Sequence, residues 1–153
     1  MAPTFSSVGL GYSPALGMVD LVVGATGGGR GRVDIDRTPA TPLLIAMGSD
    51  RRANPDDRIP GGRTDIFAKR GWVGDPLLPD GQRLGCRNWL LEDAKQDEVT
   101  RVMCANYTAE AVESVADYYG ITIDTAAAWI ARGVLQATAA TSGTTIAVTV
   151  PTA

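Results

Sequence analysis

The sequence predicts an α+β fold: one small domain with an N-terminal β-hairpin, central helices and a C-terminal β-hairpin. Three observations carry this prediction. Apolar residues recur at spacings of three and four between Asp97 and Tyr119, the period of a helix. Two uncharged alternating runs, Val134–Thr141 and Thr144–Val150, flank Ser142-Gly143, a turn pair between strands. A third alternation, Val33 and Ile35 against Asp34 and Asp36, follows an apolar run and a glycine-rich loop. At 153 residues the chain is long enough for a single sizeable core.

Residues 1–17 carry no charged side chain and several Gly and Pro breakers, so they read as an extended N-terminal arm. They lack the basic start of a signal peptide. The main domain is then expected over residues 18–153. Met18–Val23 and Arg32–Asp36 form the predicted first hairpin, joined by Gly24–Gly31, where glycines supply positive φ angles. Thr41 caps a short helix with Pro42 at its first position, and Leu43, Leu44 and Met47 are expected to face inward.

A second helix turn is expected near Asn88–Glu92. The long helix follows, from about Asp97 to Tyr119, and ends at Gly120. Its expected inward stripe is Val99, Val102, Met103, Val112, Val115, Ala116 and Tyr119. Asp124 caps a predicted last helix, Thr125–Arg132, which Gly133 stops. The C-terminal hairpin completes the fold. Its residues, 133–153, contain no ionisable side chain, whereas exposed hairpins ordinarily carry charges that discourage edge pairing. Cover by another chain and pairing inside its own sheet both account for this, and the two are compatible.

Between Asp50 and Asp75 lie six basic and five acidic residues, interspersed with Pro and Gly. Ionised side chains lose hydration on burial unless paired, so this segment does not form an ordinary core. Trp72 and Trp89 nevertheless sit in it or just after it, and large aromatics bury most of their surface. The combination reads as a docking surface. The candidate partner-binding residues are Arg51, Arg52, Pro55, Asp56, Asp57, Arg70 and Trp72, with Ile146, Val148 and Val150 on the last strand. Trp72, flanked by Gly71 and Gly74, is expected to insert between the Asp50–Asp57 and Arg70–Asp75 turns. The arginines are expected to divide between internal ion pairs and contacts to neighbouring chains.

No catalytic constellation is legible. The chain has no histidine, which removes the commonest general base and metal ligand together. Cys86 and Cys104 form no ligand cluster and read as reduced, unpaired thiols. The Gly24–Gly31 loop lacks the Lys-Ser/Thr of a phosphate-binding loop and runs into a strand rather than a helix. Asp56-Asp57, in a Pro-containing loop among arginines, reads as a turn or ion-pair element. A net charge of −3 argues against nucleic acid as a partner, and no apolar window reaches membrane-spanning length. No cofactor or metal is expected. The alternative from another class is a small enzyme or ligand-binding domain built on the Gly24–Gly31 loop and the Asp56/Asp57 region.

Three pieces of wording are informative together. The first is Leu43–Ala53 (LLIAMGSDRRA) with Pro55-Asp56-Asp57 and Ile59-Pro60. The second is Arg70–Asp75 (RGWVGD). The third is Leu84–Glu92 (LGCRNWLLE). In order and spacing they resemble the Mu-like phage tail baseplate family, relatives of the wedge protein that initiates the sheath in T-even phages and other contractile injection systems. The resemblance covers about residues 18–135. It departs in the arm at 1–17 and in a longer stretch between Trp89 and Trp129, which points to an extended or extra helix.

The resemblance implies a structural, non-enzymatic subunit of the virion, made in the host bacterial cytoplasm. The implied partners are other baseplate wedge proteins, tail hub or tube proteins and sheath protein. It further implies multiple copies in a symmetric assembly and a strand edge on which the first sheath ring is built. No lysozyme-like activity is carried over, because no two carboxyls are legible across a cleft.

Overall fold

The computed structural model describes residues 8–13, 17–23, 38–65 and 67–153. The chain divides into two compact units, residues 1–41 and 42–153. In the first, β1 (Val8–Ser13) pairs antiparallel with β2 (Met18–Val23), from Val8↔Val23 to Ser13↔Met18. The sequence reading made Met18–Val23 a strand but paired it with Arg32–Asp36. That segment and the Gly24–Gly31 loop lie outside the described residues. Residues 8–13, read as part of an irregular arm, are a strand. Gly9 and Gly11 hide its alternation, because they add no side chain to either face.

In the second unit, α1 (Ala40–Gly48) enters from the first and buries Leu43, Ala46 and Met47. The helix starts before Thr41, so Thr41 and Pro42 lie inside its first turn rather than at its cap. Leu44 is only half-buried. Short 3₁₀ turns follow, the last at Asn88–Leu91, and then α2 (Glu98–Tyr119). The Asp97 side chain caps α2, accepting the Thr100 amide at 2.8 Å. That bond holds the Asp97 carboxyl below its ordinary pKa. The helix stops at Gly120 as expected.

Two elements differ from the sequence reading. The first half of α2 is turned. Val99 is 66 % exposed, and Val102 and Met103 also face solvent. The buried face is instead Thr100, Cys104, Thr108, Ala111, Val112 and Val115. Two threonines on that face break its apolar pattern. Thr108 is tolerated at 0 % exposure because its hydroxyl is satisfied twice. It donates to the Cys104 carbonyl at 2.8 Å and accepts from Asn88 Nδ2 at 3.1 Å.

The second difference is the predicted helix at Thr125–Arg132. It is a strand, β3 (Asp124–Ala131), paired with β4 (Val134–Thr141), which pairs in turn with β5 (Thr144–Pro151). Alanine is a strong helix former, and it occupies both faces of this strand, which erases the alternation. Pairing with β4 overrides the local preference. The C-terminal hairpin thus forms as expected, but as two strands of a three-stranded sheet. In register across its inner face lie Thr125, Ala139 and Ile146, then Ala127, Ala137 and Val148, then Trp129, Leu135 and Val150. This face closes the core with Leu43, Met47, Leu91, Cys104, Val112 and Val115.

Candidate interaction surface

The segment between α1 and α2 is built from close backbone approaches. Asp50 and Cys86 form a parallel bridge: the Arg51 amide donates to the Cys86 carbonyl at 2.9 Å and the Cys86 amide to Ser49 at 2.8 Å. Gly85 makes this possible. It has φ of 101°, and a Cβ there would lie 2.6 Å from the Ser49 carbonyl oxygen. The turns at 50–57 and 70–75 do pack together. The Ala53 amide donates to Lys69 at 2.9 Å, and Gly71 (φ 100°) lies so close that a Cβ would sit 2.6 Å from that of Arg52.

The aromatic that holds these turns is Trp89, not Trp72. Trp89 is 6 % exposed, packs with Ala53 and Leu90, and donates its Nε1–H to the Arg51 carbonyl at 2.9 Å. Trp72 instead lies across its own neighbour Gly74 and remains 47 % exposed. A Cβ at Gly74 would overlap the indole ring, so this seat requires glycine.

Two arginines organise the charges. Arg70 stacks its guanidinium 4.5 Å over the Trp89 ring and reaches Asp50 and Glu92, each at 2.9 Å. Arg87 stacks 4.5 Å over Tyr107, takes both oxygens of Asp57 at 2.9 Å and meets Glu110 at 2.7 Å. Burial alone lowers the pKa of each guanidinium, but the paired carboxylates outweigh it and the net shift is upward. Asp57 is aimed by its own turn, accepting the Asn54 amide at 2.8 Å. Arg51 adds a pair to Glu110 at 3.5 Å. Arg87, Tyr107 and Glu110 are absent from the sequence-derived candidates. The available signal was Arg87 within the run Leu84–Glu92; its partners Tyr107 and Glu110 lie twenty and more residues away on α2, and Asp57 lies in an earlier turn.

The ten candidates therefore separate. Arg51, Asp57 and Arg70 are held in ion pairs within the chain. Arg52, Pro55, Asp56 and Trp72 are exposed. Arg52 makes no ion pair with the described residues. Arg58 is outward too, reaching Asp93 at 3.8 Å. Ile146 and Val148 are half-buried and Val150 is buried, all on the inner face of the sheet, so the C-terminal hairpin does not project from the domain. The side chains of Phe67, Val73 and Leu77 also stand in solvent, Val73 at 93 % exposure.

Two surface grooves, of about 370 and 520 Å³, are lined by neither Asp56 nor Asp57. Among the described residues there is no group of three or more His, Cys, Asp or Glu placed to hold a metal. No helix among them is long and apolar enough to cross a membrane.

Both cysteines are buried and unpaired. Cys86 Sγ lies 3.3 Å from the Tyr107 carbonyl. Burial raises both thiols to about 11. Native protein at pH 8 should therefore be inert to a thiol reagent, and two thiols should react once denaturant is added. Rapid alkylation of the folded protein, or fewer than two thiols in denaturant, would contradict this.

The match to known proteins follows this architecture. The model of the family described as "Phage protein GP46" matches residues 39–151, the whole of the second unit apart from its last residues. The chain belongs to the phage protein GP46 family. Within 78 residues it is 35% identical to a protein named "Baseplate protein gp46" of Escherichia phage Mu. That alignment covers 51% of this chain and 50% of the Mu protein, so the chain spans about half the length of the curated relative it matches. No solved structure matches it. In this GP46 family member both arginine stacks and the three-stranded sheet fall inside the matched residues.

Proposed function

We propose that this chain is a structural subunit of a contractile phage tail baseplate, working by assembly rather than catalysis. In this reading it links inner wedge proteins and the tail hub or tube, and offers a strand edge on which sheath assembly begins. It is present in several copies around the tail axis. The observation that supports this best is the GP46 match over residues 39–151 joined to the surface it encloses. Arg70 and Arg87 are bound internally, so the 50–92 segment is a firm platform rather than a loose loop. On it Phe67, Trp72, Val73 and Leu77 are exposed, as is Arg52, which makes no ion pair with the described residues. A rigid platform loses little conformational entropy when a neighbour docks.

The test is Val73→Asp with Leu77→Asp in the phage, since neither side chain supports the core. The isolated variant should keep the parent's melting temperature while infected cells yield tubes without complete baseplates in electron micrographs. Normal tails from that variant would refute the surface assignment.

A further inference from the structure

A sheet of three strands has two edges, and in this one they differ. The hydrogen-bond pattern identifies the groups at each. Arg101 Nη1 donates to the Ala127 carbonyl at 3.1 Å, so the backbone of Ala127 points away from β4. Its register partner Ala137 must then direct its amide and carbonyl towards Val148 on β5. By alternation Ile146 and Val150 also bond to β4, and Thr145, Ala147 and Thr149 present theirs outward. Those three residues make no hydrogen bond across that edge among the described residues. Pro151 falls in the same outward register, where its missing N–H costs nothing.

The β3 edge carries obstacles that β5 lacks. Arg101 occupies its central carbonyl and is itself clamped by both oxygens of Glu98. The register breaks between Trp129 and Ala131, leaving Ile130 in a bulge. Asp124 is an exposed charge at its start. The β5 register runs unbroken from Thr144 to Pro151, with no ionisable side chain anywhere on it. Bulges and inserted charges are the devices by which edges resist pairing.

Resting on the strand-edge part of the proposed function, we infer that strand addition to this sheet is one-sided. β5 accepts an extended segment of another chain through Thr145, Ala147 and Thr149, and Arg101 closes β3. The segment it fits is uncharged and β-branched, because the flanking outer positions are Thr145, Ala147 and Thr149 and offer no counter-charge.

The test uses the full chain and a synthetic peptide copying Thr144–Val150, extended by lysines for solubility, with amide exchange followed by NMR. In the parent, the peptide should slow Thr145, Ala147 and Thr149 by at least about tenfold and leave Thr125 and Trp129 unchanged. In Arg101→Ala it should slow Thr125 and Trp129 as well, with the β5 response unaltered, a pattern that general loosening does not produce. Should Arg101→Ala fail to fold, Glu98→Ala frees the same clamp from an exposed position and should give a smaller effect of the same kind. Protection at both edges in the parent overturns the one-sidedness alone. Protection at neither edge overturns the strand acceptor itself, while the Val73/Leu77 test of the exposed surface stands apart. A β3 edge that stays unprotected in both variants overturns the role of Arg101.

Discussion

Trp89→Ala is expected to destabilise the protein by about 4 kcal/mol, measured by urea denaturation. Three losses combine. The ring fills a cluster with Ala53 and Leu90 against Ile59 and Tyr107, and its removal leaves a cavity the backbone bridges around it cannot close. The Arg51 carbonyl loses its Nε1–H donor. Arg70 loses the face it stacks on, and its pairs to Asp50 and Glu92 lose their alignment. Trp89→Phe keeps most of the packing and should cost nearer 1–2 kcal/mol. Trp72→Ala should cost under about 1 kcal/mol, because that ring is half in solvent. A larger loss from Trp72→Ala than from Trp89→Ala would reverse the assignment of the two aromatics.

Arg87→Ala is expected to cost about 3 kcal/mol, and Arg87→Lys should recover less than half of that. The guanidinium side chain is 14 % exposed and faces Asp57, itself 13 % exposed. Removing it leaves Asp57 and Glu110 close together with only Arg51 nearby. Lysine restores one charge but neither the forked bond to Asp57 nor the stack on Tyr107. A double substitution, Arg87→Met with Asp57→Leu, should be less damaging than Arg87→Ala alone, because no charge is then left without its partner. If the single and double variants lose equal stability, an unpaired Asp57 is not the source of the loss.

Some of this protein was determined by local sequence. The start of α2 near Asp97 and its stop at Gly120 were legible because each depends on its own residue and the adjoining turn. So was the β4–β5 hairpin, whose turn pair and alternating valines and leucine lie within eighteen residues. The density of charge around residues 50–75 marked a segment unable to form an ordinary core; within it Arg51 and Arg70 are paired inside the chain, Arg58 reaches Asp93 and Arg52 is exposed.

Tertiary structure decided the rest. Whether Trp72 or Trp89 is buried depends on Gly71 and Gly85 letting distant backbones meet, which no local pattern reveals. The helix at 125–132 became a strand because β4 supplied a ladder to an alanine-rich segment with no strong preference between faces. The inward face of α2 was set by Asn88 satisfying Thr108, so a polar residue entered the core and the apolar Val99, Val102 and Met103 were left outside. Hydrophobic periodicity records only what a helix would bury on its own. A buried hydroxyl costs little once a partner from another segment bonds it, and that partner is chosen by the fold.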